Sequence, residues 1–209
     1  MRPIIQEIFH KFSGTDVFII GGGNSLKGFD FSKLIGKNVV ALNSAYKYVD
    51  ENAVLFWGDA GWGATNSHIL KEHPSKYKLS CRPIVNITRN MLGESGETFL
   101  HKTGNYGYDP NPECVMGNNS GANAINFVVN MNAKRIILLG FDMGFVNGRS
   151  HFHDDHTQPV SSLTYPELFI PSIKSLANEF KKYRTVEVIN CSNASNLKCF
   201  SFGNIQDYL

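Results

Sequence analysis

Two short runs that are apolar throughout, Val17–Ile20 and Ile136–Leu139, each end on a glycine, at Gly21 and Gly140. A strand with one wet face alternates polar and apolar residues, whereas a run without alternation has both faces covered. Central strands of a parallel sheet held between two helical layers meet that condition, and this confines the chain to an α/β architecture. Three further segments, Asn38–Leu42, Ala53–Trp57 and Thr185–Asn190, carry the Val, Ile and aromatic content of half-buried strands. Between strands, Ser120–Met131 spaces Ala, Ile, Phe and Val as a helix does, with Ser120 as its N-cap. Pro171–Tyr183 opens on proline and sets Ile173, Leu176, Ala177 and Phe180 along one face. The expected fold is a three-layer α/β sandwich with a mostly parallel central sheet, in a single domain over residues 1–209. The stretch from Asn90 to Asn119 is rich in Gly, Asn, Pro and Tyr and follows neither period, so an irregular lid or substrate-facing excursion is expected there.

Charge narrows the partners. A net charge of +2 over 209 residues leaves no broad basic footprint for gripping duplex nucleic acid. The longest apolar runs are far too short for a bilayer span. The N-terminal MRPIIQEIFHKF is a short amphipathic segment with neither an apolar core region nor a cleavage site. The four cysteines, at 81, 114, 191 and 199, form no CxxC pair and no metal-finger spacing, which suits a reducing cytoplasm.

Four constellations carry candidate chemistry. The first follows the first strand: Gly21, Gly22, Gly23, Asn24 and Ser25. Glycines let a ligand approach the backbone, and free N–H groups at such a turn attract anions, with Asn24 and Ser25 adding side-chain donors. Leu26 stands where a dinucleotide fingerprint needs glycine, and no Gly-Lys-Ser/Thr follows, so the turn is neither that motif nor a Walker loop. The alternative is a tight turn without a ligand. The second constellation is Asn43 and Ser44 after the second strand with Asp59 after the third. These residues would hold a base, a ribose or a divalent cation at the same sheet edge, or simply cap turns. The third is Asn118-Asn-Ser120-Gly121 at a helix start, an anion site by virtue of the helix dipole and unpaired N–H groups. The fourth is Asp142 at the end of a buried strand, followed by Arg149, His151, His153, Asp155 and His156. Histidines titrate near neutrality and suit acid–base catalysis or coordination. In an extended segment His151 and His153 point the same way. Asp142, with Asp59, is the candidate Mg²⁺ ligand.

Taken in order, these residues resemble a known family. An apolar strand runs into Gly-x-Gly-x-Ser-Leu, and Asn-Ser follows at the next strand end. Ser-Gly-x-x-Ala-Ile-Asn on a helix, Ala-Lys-Arg-Ile-Ile-Leu-Leu-Gly-Phe-Asp and Asn-Gly-Arg-Ser-His complete the series. The chain is similar over about residues 16–156 to the DUF115 group, the 6-hydroxymethylpterin diphosphokinase MptE-like proteins, especially short phage members. It is more distantly similar to the bacterial sialyltransferases of glycosyltransferase family 42. The resemblance implies a Rossmann-like fold and a nucleotide donor. From the sialyltransferases it implies a cytidine nucleotide held at Gly21, Gly23, Ser25 and Asn43, and from the pterin kinases ATP with Mg²⁺ at the same edge. The family's usual Gly-Pro-Ser-Leu has Asn24 in place of proline, and the nearest counterpart of the sialyltransferase catalytic histidine is His156.

Three functions follow as expectations. The first is a transferase that moves a glycosyl group from a CMP- or UDP-sugar to a hydroxyl acceptor. There the histidine loop supplies acid–base groups and Arg149 a positive charge for the leaving phosphate. The second is an ATP-dependent diphosphokinase using Mg²⁺. The third is a non-enzymatic nucleotide-binding phage protein. The acceptor would be a sugar, a pterin-like ring or a modified base. The expected setting is the cytoplasm, of the host if the protein is phage-encoded, with a homo-oligomer formed through aromatics of the 90–119 region.

Overall fold

The computed structural model describes residues 1–83, 93–153 and 161–209. The expected three-layer sandwich is present. Nine strands among the described residues form one sheet in the order β6-β5-β4-β3-β2-β1-β7-β8-β9, and every pairing within it is parallel. The strands are β1 (Asp16–Ile20), β2 (Asn38–Leu42), β3 (Val54–Trp57), β4 (Lys78–Pro83), β5 (Thr98–Gly104), β6 (Cys114–Met116), β7 (Arg135–Leu139), β8 (Glu187–Asn190) and β9 (Ser201–Phe202). The helices are α1 (Pro3–Phe12), α2 (Ala60–Glu72), α3 (Ser120–Asn130) and α4 (Ile170–Phe180).

Alternation within β1 shows why its apolar run is continuous. Val17 and Ile19 enter the core shared with Ile5, Ile8 and Phe12 of α1, with α3 and with α4. Phe18 and Ile20 face the other way, into a cluster with Leu26, Leu34, Tyr46 and Leu70. The two faces are thus covered unequally: one by three helices, the other by α2 and short 3₁₀ turns at Asn24–Leu26, Phe31–Leu34 and Asn43–Tyr48.

The sheet winds outward from its middle. The chain runs β1 to β6 in one direction, then crosses back through α3 to lay β7 beside β1. The strand order therefore reverses between β1 and β7, and both strands end in the glycines that marked them in the sequence. In open α/β sheets the crevice beyond such a reversal is where ligands bind.

Two expectations need correction. The stretch from Asn90 to Asn119 is not irregular throughout: β5 and β6 lie within it and extend the sheet past β4. β5 is apolar only at Phe99 and Leu100 and continues through His101, Lys102 and Thr103, and β6 has three residues, so neither offers an apolar run; residues 90–92 lie outside the described residues. The N-cap of α3 is Asn119 and not Ser120, since the Asn119 Oδ1 accepts from the Ala122 N–H at 2.8 Å. Among the described residues no helix is long and apolar enough to cross a membrane.

Candidate functional site

A cleft of about 660 Å³ opens along the C-terminal edge of the sheet. Four sets of residues line it. The glycine turn and the end of β7 give Gly21, Gly22, Gly23, Asp142 and Met143; the ends of β2, β3 and β5 give Asn43, Asp59 and Lys102. The start of α3 contributes Asn118 to Gly121 together with Asn123, and two later segments contribute Ser150, His151, His153, Thr164 and Tyr165. Members of all four constellations, from Gly21 to His153 and so more than a hundred residues apart in the chain, thus meet in one place.

The glycine turn is built for contact with its neighbours. The Gly21 N–H donates to the Leu139 carbonyl at 2.7 Å and the Gly23 N–H to the Gly140 carbonyl at 2.9 Å, carrying the β1–β7 ladder past the strand ends. A Cβ on Gly21 would stand 2.7 Å from the Gly140 oxygen; one on Gly23 would stand 2.6 Å from that oxygen and 2.6 Å from the Asp142 Cγ. Gly140 itself adopts φ +68°, which a side chain would strain. The Ser25 N–H donates to the Asp142 Oδ2 at 2.8 Å, and the Ser25 hydroxyl donates to Oδ1. The expectation of free amides at this turn is therefore corrected at Gly21, Gly23 and Ser25, whose N–H groups are engaged inside the protein.

The structure also moves several side chains out of the site. Asn24 is buried and its Nδ2 donates to the Val146 carbonyl at 2.9 Å. Ser25 binds Asp142, and Ser44 is buried in the 3₁₀ turn after β2. Arg149 is exposed at the end of a reverse turn closed by reciprocal bonds with Val146. None of these four lines the cleft. Both candidate metal carboxylates do line it, yet both already accept hydrogen bonds. Asp142 holds Ser25, and the Asp59 Oδ1 accepts from the Trp62 N–H at 3.0 Å as the N-cap of α2. A divalent ion placed there would share Asp142 with Ser25. Among the described residues no group of three or more His, Cys, Asp or Glu is arranged to hold a metal ion.

The histidine segment packs over the turn. The Phe152 N–H donates to the Gly22 carbonyl at 3.0 Å, and the extended backbone sends alternate side chains to opposite sides. Phe152 goes to the apolar side against Phe31 and Tyr48, while His151 and His153 line the cleft with ring centroids 5.4 Å apart. Gly22 must be glycine for this to happen, because a Cβ there would lie 2.7 Å from the His151 Cδ2 and 3.4 Å from the His153 Nε2. The Ser150 Oγ sits 2.9 Å from the His151 Nδ1. Tyr165, also in the cleft, has its phenol held above the ordinary pKa by burial and then by the nearby Asp142 carboxylate, with the Ser150 hydrogen bond pulling the other way. Asp155 and His156 lie outside the described residues.

At the start of α3, the Ser120 Oγ accepts from the Gly58 N–H at 3.0 Å and lies 3.4 Å from the Asn43 Oδ1. Asn43 adopts φ +48°, a left-handed conformation that asparagine tolerates. Lys102, Asn123 and Tyr165 were not foreseen. Lys102 was hidden because β5 itself was, and Asn123 because a buried asparagine inside a helix resembles an ordinary polar position.

No family model and no curated protein matches the sequence. Among solved structures, the chain is similar to the MAf glycosyltransferase from Magnetospirillum magneticum AMB-1, with a TM-score of 0.59 and 12% identity. The match covers 95% of this chain and 35% of that one, so the chain spans about a third of its neighbour's length. The likeness is one of fold. The two share the α/β sandwich, and the match assigns no activity, substrate or residue role.

Proposed function

We propose that the chain is a transferase for a nucleotide-activated donor, with glycosyl transfer to a hydroxyl acceptor as its reaction. The observation that carries this reading is the meeting, in one cleft at the reversal of the sheet, of the start of α3 with the His151–His153 pair. The helix start supplies unpaired N–H groups and the positive end of a dipole for phosphate. The histidines supply a base on the far side. In the reaction, the acceptor oxygen bonds to the donor's anomeric carbon, the carbon–oxygen bond to phosphate breaks, and the acceptor proton passes to an imidazole nitrogen. The departing phosphate carries the negative charge and remains on α3. Asn43, beside Ser120, is positioned for the nucleoside. The more distant sialyltransferase resemblance, and the fold neighbour's description as a glycosyltransferase, agree with this reading.

Diphosphoryl transfer from ATP draws less support, because Asp59 and Asp142, the carboxylates it would use for Mg²⁺, are engaged as turn and helix caps. A thermal-shift panel of CMP, UDP, GDP, ADP and ATP, with and without Mg²⁺, separates the readings. A ligand at a hundred times its dissociation constant adds about 2.7 kcal/mol to stability. A pyrimidine nucleotide that stabilises without metal is the expected result, ATP with a strict Mg²⁺ requirement would favour the kinase, and no shift with any of the five removes nucleotide binding. His151→Gln and His153→Gln then test catalysis. Transfer should fall about 10²- to 10⁴-fold for the residue acting as base, with nucleotide affinity intact. Undiminished transfer in both variants would remove the base from this pair.

A further inference from the structure

Beyond the start of α3 the cleft has a floor that no part of the reading above uses. Gly58, just after β3, and Lys102 of β5 line it, and Cys81 of the intervening β4 packs beneath Gly58. The floor is tightly drawn together: a Cβ on Gly58 would stand 3.2 Å from the Asn123 Nδ2, 3.2 Å from the Cys81 Sγ and 3.3 Å from the Ser120 Oγ. The Asn123 Nδ2 donates to the Cys81 Sγ at 3.2 Å.

Three polar groups here lack what such groups ordinarily have. Lys102 is half-buried in the cleft and, among the described residues, its ammonium group makes no ion pair and no hydrogen bond. Lysines withdrawn from water are normally paired. It is also the only lysine or arginine among the described residues that line the cleft. Asn123 is 2% exposed, and its Oδ1 has no hydrogen-bond partner. The Asn119 Nδ2 is likewise buried without one. Buried polar groups are satisfied in the great majority of cases, and the Asn119 Nδ2 and the Lys102 ammonium are both donors that an anionic ligand would complete, whereas the Asn123 Oδ1 is an acceptor and no anion satisfies it. The cleft's carboxylates are turned away from it, Asp142 to Ser25 at the end of β7 and Asp59 to the Trp62 N–H.

We propose that Lys102 binds a second anionic group of the ligand, so that the cleft takes a nucleoside diphosphate in preference to a monophosphate. This rests on the nucleotide-donor reading above and sharpens it. At ordinary strand spacing β5 lies roughly 10 Å from β3, across β4. A single phosphoryl group seated on Ser120 and Gly121 leaves Lys102 unpaired, whereas a diphosphate extends from the helix start towards its ammonium group.

Calorimetric titration of the intact protein with the pairs CMP/CDP, UMP/UDP and AMP/ADP, at one ionic strength, tests the proposal without any knowledge of the acceptor. For the base the site accepts, the diphosphate should bind about ten times more tightly than the monophosphate. Lys102→Ala and Lys102→Gln should each remove that advantage while changing monophosphate affinity by less than about twofold, and Lys102→Arg should keep most of it. Melting curves of the three variants establish that they are folded. Equal affinity for the two members of each pair overturns the proposal and leaves nucleotide binding standing. So does a loss in Lys102→Ala that falls equally on both. Failure of every nucleotide to bind wild-type protein overturns this proposal and the donor reading together.

Discussion

Two stretches of the same sheet edge use their polar groups in opposite ways. At the ends of β1 and β7, where the sequence shows its glycines, the amides of Gly21 and Gly23 and both oxygens of Asp142 are engaged within the protein. At the ends of β3 to β5, where the sequence is unremarkable, an asparagine and a lysine are left unsatisfied around the start of α3. A glycine-rich turn after a strand can therefore mark close packing between chain segments. The groups available to a ligand lie two strands away. Gly22 belongs to both worlds, since it brings the histidines down onto the turn and so frames the cleft from the engaged side.

The contrast can be broken from either end. The largest effect should be chemical. Burial pushes the Cys81 thiol up to about 11, with the charge of Lys102 opposing the shift. Reaction with a thiol reagent at pH 8, followed by peptide mapping, should find Cys81 at least about a hundredfold slower in the native protein than in the unfolded chain. Rapid labelling would mean that the floor of the cleft is open far below Lys102. Next comes the tight edge: Gly23→Ala forces a Cβ against the Gly140 oxygen and Asp142 and should lower unfolding free energy by about 1–3 kcal/mol in urea titration. Gly58→Ala meets its neighbours at 3.2–3.3 Å and should lose less stability but more nucleotide affinity. If the two alanines rank the other way in stability, the division of labour along the edge is wrong.

Smaller still is Ser120→Ala. It removes the acceptor of the Gly58 N–H and should cost about 1 kcal/mol, read from the same titration. The smallest effect lies at the other end of the β1–β7 pair. Hydrogen bonding from Arg135 holds the Asp16 carboxyl below its ordinary 3.8. A depressed folded-state pKa gives stability that is whole above the unfolded value and fades as pH falls below 3.8 through the folded one. Asp16→Asn should therefore lose at most about 1 kcal/mol at pH 7, since both side chains are about a third exposed or less and solvent screens the pair. The difference from wild type should vanish in strong acid. A constant difference across that range would assign the loss to packing instead.

The sequence made the centre of the fold legible and left its flank obscure, for a physical reason. β1, β2, β3, β7 and β8 are close to the strand segments expected from their apolar content, because strands covered on both faces must be apolar throughout. β4 reads Lys-Leu-Ser-Cys-Arg-Pro and lacks an apolar run despite its six residues, while β6 has three residues and β9 two, too few for a pattern. α2 went unseen for a related cause: of its thirteen residues only Gly63 and Leu70 are buried. In the site, residue type carried information where geometry was local. The alternation of His151 and His153 about Phe152 follows from an extended backbone alone. It failed where the partner was remote, as with Ser25 and Asp142, 117 residues apart in the chain. Nothing near Ser25 announces that its hydroxyl is already taken.

That separation bears on how the molecule comes into being. Asp16 pairs with Arg135 across the central seam of the sheet, and no strand in this sheet pairs with its neighbour through a hairpin. A chain emerging from the ribosome can build β1 to β6 early, but β1 keeps one edge bare until residue 139 has been made. Long-range parallel pairing of this kind is slow and exposes apolar strand edges while it waits. Closure of that seam also brings Asp142 to Ser25, so the glycine turn gains its partner in the same event that joins β7 to β1, before β8 and β9 add to the edge. Partly synthesised or partly folded chains should therefore lack the nucleotide site altogether.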